Sequence, residues 1–337
     1  MAKQRDEGLA ALKEKLKSEK LSGLYLFTGA ETFNKDFYIS KFRTAFDSNP
    51  MAEFNVLTFD GKETSANTII SAVESYPVMS DDKLIIIKNS GIFKSVSESD
   101  RDLWLDMLKN PPDYAVIIFD EAELDGRSAL LKKFKENGLY VCFDYLDDST
   151  MASWIRSFLQ KKGFTITSDG VSELMSRAGS SMGSVHNEMN KLMDYCGEGG
   201  KISADDVRMV VAKSLQDKIF DMLDAVTAGK RDTAFSILSD LKLLREEPAK
   251  IIPLLGNSVS GILKTKILMA QGCYDLAAAL GVAPFVAKKY AAQAKILSKE
   301  RLKIMLKSCL NADVAIKIEG KEKWTVLETL MIELSRK

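Results

Sequence analysis

Apolar and polar residues alternate along the first 146 residues in blocks of strand length and helix length. Short continuous apolar runs predict buried strands, and apolar residues at three- and four-residue spacing predict helices between them. The strands are predicted at residues 24–28, 54–59, 83–88, 115–119 and 140–143. The helices are predicted at residues 1–20, 31–46, 66–75, 100–110 and 127–137, the second with Phe33, Phe37, Ile39, Phe42 and Phe46 as its apolar residues. This alternation is typical of a mostly parallel sheet covered by helices on both faces.

After residue 146 the strand pattern fades and helical spacing dominates. Helices are predicted at residues 150–162, 169–178, 182–195 and 203–212, and from residue 218 to the end with breaks at glycine and proline. The predicted fold class is therefore α/β plus all-α in three domains. They are an α/β domain over residues 1–146, a small helical domain over 147–215 and a helical domain over 216–337.

Composition narrows the class of protein. The chain has 337 residues, of which 46% are hydrophobic and 28% are charged, which excludes a disordered chain, a collagen-like chain and a disulfide-stapled miniprotein. Its 47 basic and 47 acidic residues give a net charge of zero, which at first argues against nucleic-acid binding.

The zero net charge is a cancellation between domains. Residues 1–146 hold 19 basic and 24 acidic side chains, a net charge of −5, and residues 147–215 hold 8 and 9, a net charge of −1. Residues 216–337 hold 20 basic and 14 acidic side chains, a net charge of +6. Neutrality of the whole chain is thus no argument against a partner such as DNA.

Cysteine and histidine usage points away from metal and redox chemistry. The four cysteines, Cys142, Cys196, Cys273 and Cys309, form no CxxC pair, so a zinc ribbon is excluded. They are interpreted as reduced thiols of a cytoplasmic protein, and no metal or cofactor is expected. No apolar run is long enough for a membrane span. His186, the only histidine, is interpreted as a surface or packing residue.

The turn after the first strand stands where a phosphate-binding P-loop would lie. Such a loop requires G-x-x-x-x-G-K-[ST], and here Gly29 and Lys35 are in register. Asn34 replaces the second glycine, however, and Asp36 replaces the hydroxyl residue that would hold Mg²⁺. Glu31 and Asp36 would also repel a triphosphate. This degenerate P-loop is not expected to bind nucleotide.

Residues 115–121 (AVIIFDE) resemble a Walker B strand, an apolar run that ends in two acids. In an ATPase, Asp120 would act on Mg²⁺ and Glu121 would polarise water. The alternative is that Asp120 and Glu121 merely end a buried strand, and the degenerate P-loop favours this alternative. An active ATPase that uses Lys35, Asp120 and Glu121 remains the competing hypothesis.

Two further features indicate partner binding. Pro77, Val78 and Met79 lie in a predicted helix-to-strand connection, where they form either an exposed binding wedge or ordinary buried packing. Residues 262–323 hold 12 basic and 5 acidic side chains, and these lysines form either a solvated face or a phosphate-binding surface. The candidate DNA-proximal residues there are Lys264, Lys266, Lys288 and Lys289. A stand-alone DNA-binding protein is a third hypothesis.

Seven segments have a recognisable order and spacing. They are residues 24–34 (LYLFTGAETFN), 54–61 (FNVLTFDG), 77–89 (PVMSDDKLIIIKN), 154–163 (WIRSFLQKKG), 246–255 (EEPAKIIPLL), 284–289 (PFVAKK) and 313–320. Together they resemble the delta subunit family of bacterial DNA polymerase III, a family of clamp-loader subunits. The resemblance implies an AAA+-like module for the first two domains, including a helical lid, and a helical collar for the third. It also implies a lost P-loop and the absence of the zinc module of related subunits.

The function that the resemblance implies is non-catalytic. Such a subunit belongs to a DNA-directed DNA polymerase holoenzyme, where it binds and opens the sliding clamp (beta subunit) while partner subunits turn over ATP. The apolar pair that enters the clamp maps to Val78 and Met79, with Pro77 before them, although family members often carry larger or aromatic residues there. Further partners implied are the gamma/tau and delta prime subunits, through the collar, and primer-template DNA within the assembled complex.

Overall fold

The computed structural model describes residues 2–18, 20–47, 51–179 and 181–336. The chain divides into two compact units, residues 1–145 and residues 146–337. No helix in the described ranges combines the length and apolarity needed to cross a lipid bilayer.

The first unit is built on a parallel sheet of five strands in the order β2-β3-β4-β1-β5. The strands are β1 (Gly23–Thr28), β2 (Val56–Asp60), β3 (Lys83–Lys88), β4 (Ala115–Asp120) and β5 (Gly138–Cys142). The helices are α1 (Ala2–Lys15), α2 (Thr32–Phe46), α3 (Ala52–Asn55), α4 (Ala66–Glu74), α5 (Glu98–Lys109) and α6 (Ala129–Asn137). The predicted α/β fold class is confirmed.

Helices cover both faces of this sheet. Leu24 and Leu26 of β1 face a core that includes residues of α4, α5 and α6, among them Trp104. Tyr25 and Phe27 face the opposite core, formed with α1 and α2. Because successive strand side chains point to opposite faces, a strand covered on both sides is apolar at every position, and this explains the continuous apolar runs.

One of the five apolar residues in the sequence pattern of α2 lies outside its buried face. Phe37 is 45% exposed, whereas its neighbour Tyr38 is buried with Ile39, Phe42 and Phe46. At 100° per residue, Phe37 lies on the side of the helix opposite Phe42 and Phe46. Phe37 therefore belongs to the solvent face, where its ring contacts Tyr38 and Lys41.

The second unit is largely helical. Its helices are α7 (Asp148–Lys161), α8 (Ser168–Ala178), α9 (Met182–Cys196), α10 (Ala204–Val210), α11 (Leu215–Thr227), α12 (Arg231–Leu243), α13 (Pro248–Ala270), α14 (Leu276–Leu280), α15 (Pro284–Ile296), α16 (Lys299–Lys317) and α17 (Lys323–Leu334). Two short parallel strands, β6 (Thr165–Ile166) and β7 (Lys201–Ile202), were missed because two residues cannot show a period. The largest core takes its buried residues from 219–334. The division of this unit into a small helical domain, residues 147–215, and a second helical domain, residues 216–337, stays a prediction.

Candidate functional site

The loop between α4 and β3, residues 75–82, carries the predicted apolar residues. Met79 is 84% exposed and Val78 is 45% exposed, while Pro77 is half-buried. Tyr76, next to them, is also exposed. The structure therefore excludes the alternative that this segment is buried helix-to-strand packing. Loop 75–82 presents a contiguous stretch of apolar side chains to solvent.

The middle of loop 75–82 is held by Asn55, the last residue of α3. Asn55 is fully buried, and its Nδ2 donates to the Val78 carbonyl oxygen at 2.9 Å. The Val78 N–H in turn donates to Asn55 Oδ1 at 2.7 Å. One side-chain amide thus satisfies both polar backbone groups of Val78.

The start of loop 75–82 is held by Lys83, the first residue of β3. Lys83 is fully buried, and its Nζ donates to the carbonyl oxygens of Ala72 and Ser75 and to Ser75 Oγ. These carbonyls lie at the C-terminal end of α4, where a helix leaves its last acceptors without internal partners and favours a cation. Burial lowers the pKa of Lys83 to about 8.

Tyr114 completes this support. Its hydroxyl donates to the Glu74 carbonyl oxygen at 2.6 Å, again at the end of α4. Its ring centroid lies 5.1 Å from that of Tyr76 and 5.4 Å from Lys83 Nζ. The exposed ring of Tyr76, in loop 75–82, is thus packed against the Tyr114 ring, which is itself held at the end of α4.

The degenerate P-loop lies at the other end of the sheet, after β1. Gly29 has a φ of +101°, and a Cβ atom there would lie 2.1 Å from the Phe143 carbonyl oxygen. Glu31 is buried and caps α2 through its own carboxylate, which accepts from the Phe33 N–H at 3.1 Å. The helix N-terminus that would attract a phosphate group therefore already holds an anion of the chain.

Lys35 and Asp120 form an internal ion pair. Lys35 Nζ lies 2.7 Å from Asp120 Oδ1, and both side chains are largely buried. Asn34 is half-buried and Asp36 is exposed. The cation of the degenerate P-loop and the first acid of the Walker-B-like pair therefore bind each other.

Glu121 is bound to the loop that follows β3. It is buried, and its carboxylate accepts from the Ser90 N–H at 2.9 Å, from the Gly91 N–H at 3.0 Å and from the Ser90 hydroxyl. Burial raises the pKa of Glu121, and the hydrogen bonds from Ser90 and Gly91 oppose that rise. The Glu121 carboxylate therefore fixes the backbone of the loop that follows β3, at Ser90 and Gly91.

Three of the four candidate DNA-proximal lysines have partners within the second unit. Lys288 pairs with Asp148, Lys289 pairs with Asp217 at 3.0 Å, and Lys266 donates to the Ala294 carbonyl oxygen at 2.7 Å. Lys289 also lies 4.4 Å from the ring centroid of Phe285. Lys264 is exposed on α13. Because Lys288 and Lys289 pair with carboxylates, the net positive charge near a phosphate backbone here is smaller than the count of lysines indicates.

His186 and the four cysteines are the remaining residue types considered for metal or redox chemistry. The His186 ring contacts the Phe158 ring at 5.0 Å and lies next to the Asn190 amide. The four cysteines are free, and Cys309 is buried. In the described part of the chain, no cluster of three or more His, Cys, Asp or Glu residues could hold a metal ion.

Asn55, Lys83 and Tyr114 were not recognised from the sequence. Asn55 and Val78 are 23 residues apart, and no local pattern links them. The one available signal is Lys83, a lysine at the first position of a run that is otherwise buried. A charged residue at such a position requires buried acceptors, which predicts a helix end nearby.

Two family models match the chain, one within the first unit and one within the second. DNA polymerase III, delta subunit, matches residues 25–143, and DNA polymerase III delta subunit, C-terminal domain, matches residues 216–334. The chain belongs to the DNA polymerase III delta subunit family. The two matches together span more than half of its length.

Relatives of this delta-family chain match it nearly end to end. It is 27% identical over 331 residues to the DNA polymerase III subunit delta of Bacillus subtilis, covering 96% of this chain and 95% of the relative. It is 22% identical over 308 residues to a probable DNA polymerase III subunit delta of Aquifex aeolicus, covering 88% and 86%. Among solved structures, the Bacillus subtilis DNA clamp loader delta protein is similar with a TM-score of 0.76 and 26% identity, covering 98% and 100%.

The Lys35–Asp120 pair of this delta-family chain makes a prediction about stability. Lys35→Met leaves a largely buried carboxylate without its cation, and we expect it to lower the free energy of unfolding by about 3 kcal/mol in urea denaturation. Lys35→Met/Asp120→Asn should lose less, because no unpaired charge remains. Lys94→Met, which removes the exposed Lys94–Glu123 pair, is the matched control and should change the value by less than about 1 kcal/mol. A loss in Lys35→Met no larger than in this control would contradict the prediction.

Lys83 makes a prediction about pH dependence. Its folded pKa of about 8 lies below the ordinary lysine value of 10.5, so between these values the unfolded chain binds a proton that the folded chain has released. The contribution of Lys83 to the free energy of unfolding should therefore rise with pH from about 8 to about 10.5. Lys83→Met should abolish that rise in urea denaturation, and Lys88→Met, at the other end of β3, should keep it. Parallel pH profiles for the parent and Lys83→Met would show that the interpretation is wrong.

Proposed function

We propose that this chain is the clamp-loader subunit that binds the sliding clamp and opens it for loading onto primed DNA. The observation that supports this most directly is the exposure of Val78 and Met79 on a loop whose backbone is hydrogen-bonded by the buried Asn55 side chain. A solvated methionine in a fixed position is suited to enter an apolar pocket, because its burial there contributes about 1.5–3 kcal/mol and little ordering of the loop is needed. The matching position of this pair in the family resemblance points to the same role.

Clamp opening, in this proposal, is a shift between two states of the partner. A ligand shifts an equilibrium only by the difference between its affinities for the two states. Val78 and Met79 would therefore have to fit a pocket that is better formed in the opened clamp. The subunit makes no covalent change in this step.

The proposal assigns ATP turnover to partner subunits of the gamma/tau type. Lys35, Asp120 and Glu121 all bind groups within the chain, and the N-terminus of α2 is capped by Glu31. An active AAA+ ATPase would have to break these contacts to admit Mg²⁺ and a triphosphate. The geometry therefore favours the non-catalytic interpretation over the ATPase alternative.

Isothermal titration calorimetry with Mg²⁺ and ATP tests this assignment. We expect no saturable heat from the isolated chain, because the cation and both acids that would contact the nucleotide are already hydrogen-bonded. An ATP-binding gamma/tau subunit titrated in the same buffer provides the positive control. Micromolar affinity of this chain for Mg²⁺–ATP would overturn the non-catalytic assignment.

The other partners belong to the same proposal. Residues 216–337 would pack as a collar against gamma/tau and delta prime subunits, and the lysines of residues 262–323 would lie near primer-template DNA in the assembled cytoplasmic complex. Binding to DNA by the isolated chain is less favoured, because Lys288 and Lys289 pair with the carboxylates of Asp148 and Asp217.

A clamp-binding assay tests the role of loop 75–82. Val78→Ser/Met79→Ser replaces two exposed apolar side chains, so we expect little change in folding but a loss of about 2 kcal/mol of binding free energy, or about thirtyfold in Kd. Surface plasmon resonance with the sliding clamp of the same organism measures it. Met209→Ser, which alters a similarly exposed methionine on α10, is the matched control and should bind as the parent does. A double variant that binds as tightly as the parent would show that the loop is not the binding element.

A further inference from the structure

Loop 75–82 has a defined shape even though its apolar side chains face solvent. Met79 has a φ of +50°, a left-handed conformation that residues other than glycine seldom adopt. Such a conformation persists only where neighbouring contacts determine it. The contacts adjacent to Met79 therefore have to select this backbone shape over the more usual extended one.

The contact adjacent to Met79 is the pair of hydrogen bonds from Asn55 to Val78. Asn55 accepts from the Val78 N–H at 2.7 Å and donates to the Val78 carbonyl oxygen at 2.9 Å. The Val78 carbonyl belongs to the peptide that joins Val78 to Met79, so the hydrogen bond from Nδ2 fixes the orientation of that peptide plane. Asn55 is 1% exposed, and a partner that binds the surface of the loop would therefore meet Val78 and Met79 rather than Asn55.

The start of loop 75–82 is fixed independently of Asn55. Lys83 Nζ and the Tyr114 hydroxyl bind the last carbonyls of α4, and Tyr76 packs on Tyr114. Loss of the Asn55 amide would thus leave the start of the loop in place and release its middle, where Val78 and Met79 lie. A loop released in this way has to be ordered again on binding, which reduces affinity.

We propose that Asn55 is a positioning residue for sliding-clamp binding, which acts by holding the Val78–Met79 peptide in its binding-competent orientation. The inference rests on the proposed function of loop 75–82. It adds a buried polar residue from a different element, α3, to an interaction otherwise assigned to exposed apolar side chains.

The test is a double-mutant cycle on clamp affinity, measured by surface plasmon resonance with the full-length chain and its sliding clamp. Asn55→Ala should weaken binding roughly tenfold, since two hydrogen bonds that order the loop are lost. In the Val78→Ser/Met79→Ser background the same substitution should have little further effect, because the side chains that it positions are gone. A merely structural role would weaken binding equally in both backgrounds.

Two variants separate positioning from a general loss of stability. Asn55→Asp keeps the acceptor for the Val78 N–H but places an oxygen against the Val78 carbonyl, so it should also weaken binding. Circular dichroism gives the folded fraction of each variant, and the Kd is calculated for the folded protein. Asn137→Ala removes a side-chain amide that donates to the Leu108 carbonyl oxygen at 2.9 Å in the same unit. It should bind the clamp as the parent does, whatever its melting temperature.

The outcomes distinguish this inference from the proposed function. If Val78→Ser/Met79→Ser weakens binding while Asn55→Ala and Asn55→Asp bind as the parent does, the positioning role is overturned and the loop assignment stands. An equal loss from Asn55→Ala in both backgrounds overturns it as well. If Val78→Ser/Met79→Ser itself binds normally, the proposed function fails and the inference fails with it.

Discussion

Burial of the parallel sheet on both faces is the constraint on which the rest of the first unit depends. Each central strand is apolar along its middle and pairs its backbone with two neighbours, because no water reaches it. Buried polar side chains are therefore confined to the two edges that the strand ends form, one at the N-terminal ends of the strands and one at their C-terminal ends. Loop 75–82 lies at the edge where β3 begins, and the degenerate P-loop lies at the edge where β1 and β4 end.

Both edges contain buried charged groups, and in each case the chain supplies the partner. Lys35 pairs with Asp120, and Glu121 accepts from Ser90 and Gly91, at the edge where a nucleotide-binding sheet holds its ligand. Lys83 binds the end of α4 at the opposite edge. Such groups add little net stability, since desolvation offsets their attraction, but they tolerate few alternative arrangements. At the first edge the charged groups bind each other or the backbone of the chain, and at the second they hold loop 75–82 in a defined position.

The accuracy of the sequence-based predictions followed the strength of the local pattern. The strands at 83–88 and 115–120 were predicted almost to the residue, because a run of buried β-branched residues between polar ends has few other interpretations. The two-residue strands β6 and β7 were too short to show a pattern. Phe37, one of the five apolar residues in the pattern of α2, is exposed because its angle on the helix places it opposite Phe42 and Phe46.

The sequence by itself determined the family, the α/β character of the first unit and the departures from the P-loop pattern at Asn34 and Asp36, because strand period, segment order and residue identity are local properties. Only the tertiary structure decided that Val78 and Met79 are exposed, that Lys35 and Asp120 bind each other across 85 residues, and that most of the candidate DNA-proximal lysines have partners. The bonds from Asn55 to Val78 belong to the same class. Exposure and pairing depend on which distant residues the fold brings within a few ångströms, and no period in the sequence encodes that distance.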